Sequence, residues 1–208
     1  MSKVLKGTTT IAVVCQDGVI FGTDTRATAG NFIAHRRAKK VYRVTDHLAL
    51  TIAGGVAAAQ KIVDLLKANT FLFSANYNRP ITVSAASHLI ANVVFSNWEA
   101  GAPIPIQLLI GGIDSTGPHV FHLDPFGGVT EEKCVSTGSG SPYAYGVLET
   151  QYKEDMEVKA MLPLVVKAVN AAMRRDTYSG DNYDVAMITK EGFRELGEGE
   201  KETLLHSG

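Results

Sequence analysis

The pattern of apolar and polar positions near the start of the chain predicts a β-hairpin. Residues 8–15 are β-branched or small and apolar, Asp17-Gly18 is a tight-turn pair, and residues 19–23 resume the strand pattern. A hairpin turn makes the second strand run back beside the first. We therefore expect Asp24, which follows the second strand, to lie close to Thr8.

Further apolar runs and helical periodicities divide the rest of the chain into strands and helices. The predicted strands cover residues 41–44, 48–53, 106–113, 119–124 and 184–189. The predicted helices begin after Gly54-Gly55, at Pro80, at the segment 137–142 and near Glu157, and the last of them ends near Arg175. Residues 69–79 look less regular. Pro163 conflicts with its helix and indicates either a kink or a misplaced boundary.

The order of these elements indicates the fold class. Strands, two helices, strands, two helices and a final strand predict an α+β protein, a four-layer αββα sandwich of two antiparallel sheets with helices on both outer faces. We expect a single domain over residues 8–208, with a polar, weakly patterned tail from about residue 191.

Composition narrows the possible partners and compartments. The chain has 45% hydrophobic residues, 20% charged residues and a net charge of -1, which argues against a nucleic-acid or membrane surface. Residues 1–7 lack the apolar core of a secretory signal, so we expect a cytoplasmic protein.

Cys15 and Cys134 lack the spacing of a disulfide framework or a zinc site. The histidines are scattered, so we expect neither a metal nor another cofactor.

The segment Gly7-Thr8 offers the most specific candidate chemistry. Cleavage after Gly7 would leave Thr8 as a new N-terminus, with a hydroxyl and an α-amine on one residue. That pairs a nucleophile with its own base, because an α-amine titrates at roughly 7.7–8.0. Taken alone, the segment is better explained as an ordinary β-branched strand start.

Two charged residues and a glycine could support this chemistry. Lys40 precedes a predicted strand, and a lysine beside a terminal amine would lower the pKa of that amine by like-charge repulsion. Asp24 could hold the lysine in place. The chain turns from strand to helix at Gly54-Gly55, which leaves backbone N–H groups available at the turn. Each feature alone is compatible with a surface charge or a simple turn.

Two segments rich in short oxygen-bearing side chains, 137–141 and 175–180, could hydrogen-bond a terminal amine. Neither matches a GxSxG nucleophile motif or a dinucleotide-binding loop. As isolated features they are typical loop and cap residues. A Ser/His/Asp triad stays open, although no serine has a recognisable activating context.

Together these segments resemble the proteasome β subunit, most closely the archaeal type of this N-terminal nucleophile hydrolase family. The matching segments are Gly7-Thr8-Thr-Thr, Asp24-Thr-Arg26, Lys39-Lys40, Thr51-Ile-Ala-Gly54, Gly111-Gly-Ile-Asp114, Ser136-Thr-Gly-Ser-Gly-Ser-Pro142, Tyr145-Gly-Val-Leu-Glu149 and Arg175-Asp-Thr-Tyr-Ser-Gly180. They run in order from Gly7 to about Gly192. Any one of them is weak, whereas the ordered set is highly specific.

The resemblance implies a role for each matching residue. Residues 1–7 match a propeptide that is removed by cleavage between Gly7 and Thr8. Thr8 matches the nucleophile, and Gly54 matches the backbone donor of the oxyanion hole. The other matching catalytic residues are Asp24, Lys40, Ser139, Asp176 and Ser179, and those matching the specificity pocket are Ala27, Ala38, Ile52 and Val56. The four pocket residues are apolar, which favours cleavage after hydrophobic residues.

The resemblance also implies partners. It predicts a heptameric ring with other β subunits, stacked on a ring of proteasome α subunits that connects to an ATP-dependent regulatory particle, with unfolded polypeptides as substrates. Two alternatives are the two-tier bacterial relative of the proteasome and a non-catalytic ring subunit that retains its leader. The segments 137–142 and 175–180 argue against the first, and loss of residues 1–7 from the assembled protein would exclude the second.

Overall fold

The predicted hairpin is present at the start of the fold. The computed structural model describes residues 7–206, without the side chains of Val56, Leu205 and His206. Strands β1 (Thr10–Cys15) and β2 (Gly18–Asp24) pair antiparallel, with Thr10 opposite Thr23. The Asp24 N–H donates to the Thr9 carbonyl at 3.2 Å. The end of β2 therefore lies beside the start of the chain, as the turn predicted.

The remaining elements follow in chain order. The strands are β3 (Ala27–Ala29), β4 (Phe32–His35), β5 (Val41–Arg43), β6 (Leu48–Gly54), β7 (Ile106–Asp114), β8 (Gly117–Leu123), β9 (Val129–Glu132), β10 (Cys134–Thr137), β11 (Tyr183–Thr189) and β12 (Gly192–Glu195). The helices are α1 (Val56–Tyr77), α2 (Val83–Glu99), α3 (Ser141–Gln151), α4 (Val158–Arg175) and α5 (Glu198–His206).

Two five-stranded antiparallel sheets form the centre of the molecule. The first sheet has the order β10-β1-β2-β11-β12 and the second β5-β6-β7-β8-β9, while β3 and β4 form a separate two-stranded ribbon. Along β1, Ile11 and Val13 pack toward α4, whereas Ala12 and Val14 pack between the sheets. This alternation follows from the two-residue period of a strand.

The helices cover both outer faces of the sheets. Helices α3 and α4 contribute to the apolar cluster on the first sheet, and α1 and α2 contribute to the cluster on the second. Each fully buried Val, Leu or Ile side chain in these clusters contributes about 1.5–3 kcal/mol to folding. The predicted four-layer αββα sandwich is confirmed.

One helix prediction needs correction, and the helix predicted near Glu157 is confirmed. Residues 69–79 were expected to be less regular, but α1 continues through residues 69–77. The side chains of Asn69 and Thr70 donate hydrogen bonds to carbonyls of the preceding turn, so they do not interrupt the helix. The left-handed Asn78 ends the helix. Helix α4 runs through Pro163 from Val158 to Arg175, so no boundary is misplaced there. An interior proline costs roughly 3 kcal/mol, and the extensive buried face of α4 offsets that cost.

The weakly patterned tail expected from about residue 191 instead contains β12 and α5. Strand β12 pairs with β11, and the buried Lys201 of α5 donates to the Tyr183 carbonyl at 2.9 Å and to Glu198 at 2.8 Å. The Tyr183 hydroxyl donates back to the Lys201 carbonyl. Since only a few residues of this segment enter the core, periodicity did not predict it.

None of the helices within residues 7–206 is long and apolar enough to cross a membrane.

The two cysteines are expected to resist alkylation in the folded protein. Burial raises the pKa of both thiols to about 12, with smaller effects from Asp17 beside Cys15 and Glu149 beside Cys134. Compared with a thiol at the reference value of 9.0, the reactive thiolate at neutral pH is about 1,000-fold scarcer. Iodoacetamide at pH 7.5, followed by mass spectrometry, should label both cysteines in denaturant and neither in the native protein. Rapid native labelling of Cys15 would contradict its burial.

Candidate active site

Thr8 lies two residues before β1 and is almost completely buried. Its N–H donates to the Ser139 hydroxyl at 3.3 Å, and its own hydroxyl donates to the Gly7 carbonyl at 2.5 Å. The candidate nucleophile therefore touches the carbonyl group of the peptide bond that would be cut.

Gly7 occupies a position that a larger residue cannot take. A Cβ atom built on Gly7 would lie 1.6 Å from the Cβ of Tyr178, far inside van der Waals contact. The Gly7 N–H donates to the Thr28 hydroxyl at 3.4 Å. Steric contact with Tyr178 thus accounts for glycine immediately before Thr8.

Asp24 and Lys40 form a buried ion pair. Lys40 Nζ lies 2.6 Å from Asp24 Oδ1, and the two side chains are 7% and 0% exposed. Asp24 also accepts backbone hydrogen bonds from Thr9 at 2.8 Å, Arg26 at 3.0 Å and Gly180 at 3.1 Å. Each carboxylate oxygen receives two donors, an arrangement that fits the ionised form.

Burial and the contact between the two charges act in opposite directions on this pair. Burial lowers the pKa of Lys40 and raises the pKa of Asp24, and the attraction between them opposes both shifts. Removing one partner would therefore leave the other as an uncompensated charge inside the protein.

Ser139, Asp176 and Ser179 form a second hydrogen-bonded group beside Thr8. Asp176 Oδ2 accepts from the Ser139 hydroxyl at 2.5 Å and from the Ser179 hydroxyl at 2.6 Å. Since Ser179 has used its only proton, it accepts from the Thr9 hydroxyl, 2.7 Å away. The group places the Ser139 hydroxyl as an acceptor for the backbone nitrogen of Thr8.

Two glycines allow the segment 137–141 to approach Thr8 closely. Gly138 has a φ of 90°, and a Cβ there would lie 2.1 Å from the Thr8 carbonyl oxygen. A Cβ on Gly140 would lie 2.0 Å from the Thr9 hydroxyl. Neither position accommodates a side chain, so the glycines bring Ser139 into contact with Thr8.

A cavity of about 190 Å³ opens beside Thr8. Its walls include Gly54 and Gly55 at the N-terminus of α1, and this end of a helix carries partial positive charge. The cavity is also lined by Gly7, Ala27, Thr28, Ala29, Ala38, Lys39, Lys40, Tyr42, Ile52 and Ala59. It can hold one side chain beside the Thr8 hydroxyl and the N-terminus of α1.

The structure brings together all seven predicted catalytic and oxyanion positions. Three of the four predicted pocket residues line the cavity, namely Ala27, Ala38 and Ile52, whereas the side chain of Val56 lies outside the described part of the chain. Sequence reasoning missed Tyr42 and Ala59. Tyr42 stands two residues after Lys40, and the strand period places both on one face, so the spacing contained that signal.

Two arginines form ion pairs with Asp181 in the segment 176–182, an arrangement that the sequence did not predict. We call these three residues the Asp181 clamp. Arg26 Nε lies 2.8 Å from Asp181, and Arg36 lies 2.6 Å from the same carboxylate. Arg26 also donates to the Thr177 carbonyl at 2.9 Å. The clamp joins the residues after β2 to the loop that carries Asp176.

Comparison with known proteins gives the family of this chain. The family model described as "Proteasome subunit" matches residues 4–188. The proteasome subunit beta of Methanosarcina barkeri is 49% identical over 195 residues, which cover 93% of this chain and 92% of the relative. The corresponding subunit of Ferroglobus placidus is 47% identical over 204 residues, 98% of this chain and 96% of the relative. That of Archaeoglobus profundus is 46% identical over 207 residues, 99% and 95% of the two chains. The matched range contains every residue of the site described above, and the chain belongs to the proteasome family as a β subunit.

Proposed function

We propose that this chain is an N-terminal threonine endopeptidase, made active by autocatalytic cleavage between Gly7 and Thr8. The observation that carries the proposal is the position of the Thr8 hydroxyl, which touches the Gly7 carbonyl while Ser139 holds the nitrogen of the same peptide bond. The buried Asp24–Lys40 pair adjoins that site.

Cleavage of the leader proceeds in two steps. Thr8 Oγ1 attacks the Gly7 carbonyl carbon, and the C–N bond breaks as the Thr8 nitrogen takes up a proton and becomes a free amine. The product is an ester between Gly7 and the Thr8 hydroxyl. Water then hydrolyses the ester, which releases the leader with a carboxylate at Gly7 and leaves a free hydroxyl on Thr8.

The freed amine acts as the base in peptide hydrolysis. It takes the hydroxyl proton of Thr8, directly or through a water, while the oxygen attacks the substrate carbonyl. Lys40 disfavours protonation of the amine by like-charge repulsion.

Backbone N–H groups at Gly54 and the positive end of α1 stabilise the oxyanion. The substrate C–N bond then breaks as the protonated Thr8 amine gives its proton to the leaving nitrogen, and water hydrolyses the acyl-enzyme ester that remains. Until the leader is cut, the Thr8 nitrogen is an amide and cannot serve as base.

The cavity beside Thr8 is proposed to receive the substrate side chain that precedes the cut bond. Ala27, Ala38 and Ile52 provide an apolar wall, and Tyr42 lines the same space with its hydroxyl donated to the Lys39 carbonyl at 2.8 Å. These contacts favour hydrophobic residues over charged ones.

As a proteasome subunit, the chain assembles with other proteasome subunits. We further propose heptameric β rings stacked on α rings, with the active sites facing an enclosed chamber and a regulatory particle acting through the α ring. Enclosure would keep folded cytoplasmic proteins away from the nucleophile and admit unfolded polypeptides.

Intact mass and peptide hydrolysis of the purified particle test the function. The β subunit should lack residues 1–7, and peptides with leucine before the cut bond should be hydrolysed at least about tenfold faster than matched peptides with arginine or glutamate. A retained leader together with absent peptidase activity would identify a non-catalytic ring subunit. A processed subunit that favours arginine would contradict only the pocket assignment.

A further inference from the structure

Thr9, the residue after the candidate nucleophile, contacts both polar groups of the site. Its backbone N–H donates to Asp24 Oδ1 at 2.8 Å, and its hydroxyl lies 2.7 Å from the Ser179 hydroxyl. The first contact joins Thr9 to the buried pair that Asp24 forms with Lys40. The second joins it to the hydrogen-bonded group around Asp176. Thr9 therefore links the two groups.

The direction of each hydrogen bond around Asp176 follows from counting protons. The Asp176 carboxylate accepts from the hydroxyls of Ser139 and Ser179, so each serine has used its proton. Ser139 then accepts from the Thr8 N–H, and Ser179 accepts from the Thr9 hydroxyl. Together with the peptide bond between Thr8 and Thr9, these contacts form a closed ring.

The contact between Thr9 and Ser179 is enclosed by the surrounding chain. Both residues are 0% exposed. A Cβ atom on Gly140 would lie 2.0 Å from the Thr9 hydroxyl and 3.1 Å from Ser179 Oγ, so the lack of a side chain at Gly140 leaves the space that this hydrogen bond occupies. A valine at position 9 would leave Ser179 Oγ without its donor in a site closed to solvent, and an unsatisfied buried group is costly.

Cleavage after Gly7 changes what holds Thr8 in place. Before the cut the chain continues on both sides of Thr8, whereas afterwards Thr8 is a chain end, and chain ends are poorly ordered unless they are tied down. The N–H and carbonyl of Thr8 make hydrogen bonds of 3.3 Å each, with Ser139 and with the Gly140 N–H. The two contacts of Thr9 are shorter, at 2.8 and 2.7 Å. Thr9 is therefore the better-held neighbour of the new terminus.

We propose that Thr9 is a positioning residue that anchors the new N-terminus once the leader has been removed. Its hydroxyl fixes Ser179 and, through Asp176, the serine that accepts from the Thr8 nitrogen. The proposal rests on the proposed function, because an anchor for the Thr8 amine matters to turnover only if that amine is the base. Among the described residues, those that line the cavity beside Thr8 do not include Thr9, so its loss should affect kcat and not KM.

Two valine variants of the purified particle test the anchor. Thr9→Val removes the hydroxyl and keeps the branched shape and the backbone N–H. Thr10→Val is the matched control, because Thr10 is also 0% exposed and its hydroxyl contacts that of Thr137 at 2.6 Å, on the opposite face of the strand. Thr9→Val should lose residues 1–7 by intact mass, yet its kcat for a leucine peptide should fall about 10–100-fold at an unchanged KM.

The control and the conservative variant separate positioning from packing. Thr10→Val should keep its kcat while its unfolding midpoint falls about as far as that of Thr9→Val, since each loses one buried hydroxyl contact. Thr9→Ser keeps the donor and should recover most of the kcat. Adding Thr9→Val to Ser179→Ala should slow the particle no further, because the Thr9 hydroxyl acts through Ser179. If valine at position 9 prevents assembly, Thr9→Cys replaces it, because a thiol is a weaker donor of similar size.

Three results would overturn the anchor alone in an unmodified particle that is processed and active. The first is an equal kcat in the Thr9→Val and Thr10→Val particles, and the second is a Thr9→Ser particle as slow as Thr9→Val. The third is a Thr9→Val subunit that keeps residues 1–7, since the residue would then act before the cut. An unmodified particle that keeps its leader and hydrolyses no peptide would overturn the proposed function and the anchor together.

Discussion

Replacing Thr8 with alanine is expected to leave the leader attached and to reduce peptide hydrolysis to the uncatalysed background. Alanine lacks the hydroxyl that contacts the Gly7 carbonyl, so neither the ester that releases residues 1–7 nor the acyl-enzyme ester can form. Intact mass would report the leader, and a fluorogenic peptide with leucine before the cut bond would report the activity. Both losses have one cause, since the same oxygen performs both reactions.

Two variants separate loss of the nucleophile from misfolding. Thr8→Ser retains a hydroxyl at the same position and should still remove residues 1–7. Thr130→Ala, at an exposed position, should behave as the unmodified protein in both assays. A Thr8→Ala particle that loses its leader and hydrolyses peptides would show that another residue is the nucleophile.

Replacing Lys40 with methionine is expected to have the next largest effect. Methionine has a similar length but no charge, so Asp24 would become a buried carboxylate without its cation. Breaking a buried pair typically costs about 3–5 kcal/mol of stability, and the unfolding midpoint should fall accordingly. Leader removal and peptide hydrolysis should slow by about 10²–10⁴-fold, the range typical for loss of a group that assists proton transfer.

A second substitution distinguishes the chemical role of Lys40 from its structural one. Adding Asp24→Asn to Lys40→Met removes the uncompensated charge, so it should recover part of the lost stability without recovering activity. Arg43→Ala is the matched control, because it deletes an ion pair of 2.5 Å whose side chains are 53% and 74% exposed. Exposed pairs contribute about 0–1 kcal/mol. Full activity in the Lys40→Met particle would contradict the role proposed for the lysine.

The long elements and most of the candidate site could be predicted from the sequence. Residues 8–15 and 19–23 form two strand-like runs on either side of an Asp-Gly turn, and that turn alone indicated that Asp24 would lie close to Thr8. Helix α4 has a continuous apolar face, so its presence was predictable even though Pro163 obscured its course. The positions of the candidate catalytic residues were predictable because family motifs place them at fixed points of the chain.

Other features depend on contacts between distant segments, which periodicity does not contain. Strands β3 and β4 have three and four residues, too few to establish an alternation. Helix α5 is held against the fold by the buried Lys201, which contacts Tyr183. The sequence did not indicate this, because a lysine in a polar segment normally predicts an exposed position. The backbone donors to Asp24 could not be predicted from the sequence, because they come from separate segments that only the folded chain brings together.

The arrangement around Asp24 has a consequence for the order of events during synthesis. Its four donors come from Thr9, Arg26, Lys40 and Gly180, and the last of these is 156 residues further along the chain. A nascent chain that has not yet delivered Gly180 to the fold lacks part of the shell that holds the carboxylate beside Lys40. Thr8 is thus synthesised early and the last part of its surroundings late, so an unfinished chain carries the proposed nucleophile without the complete site.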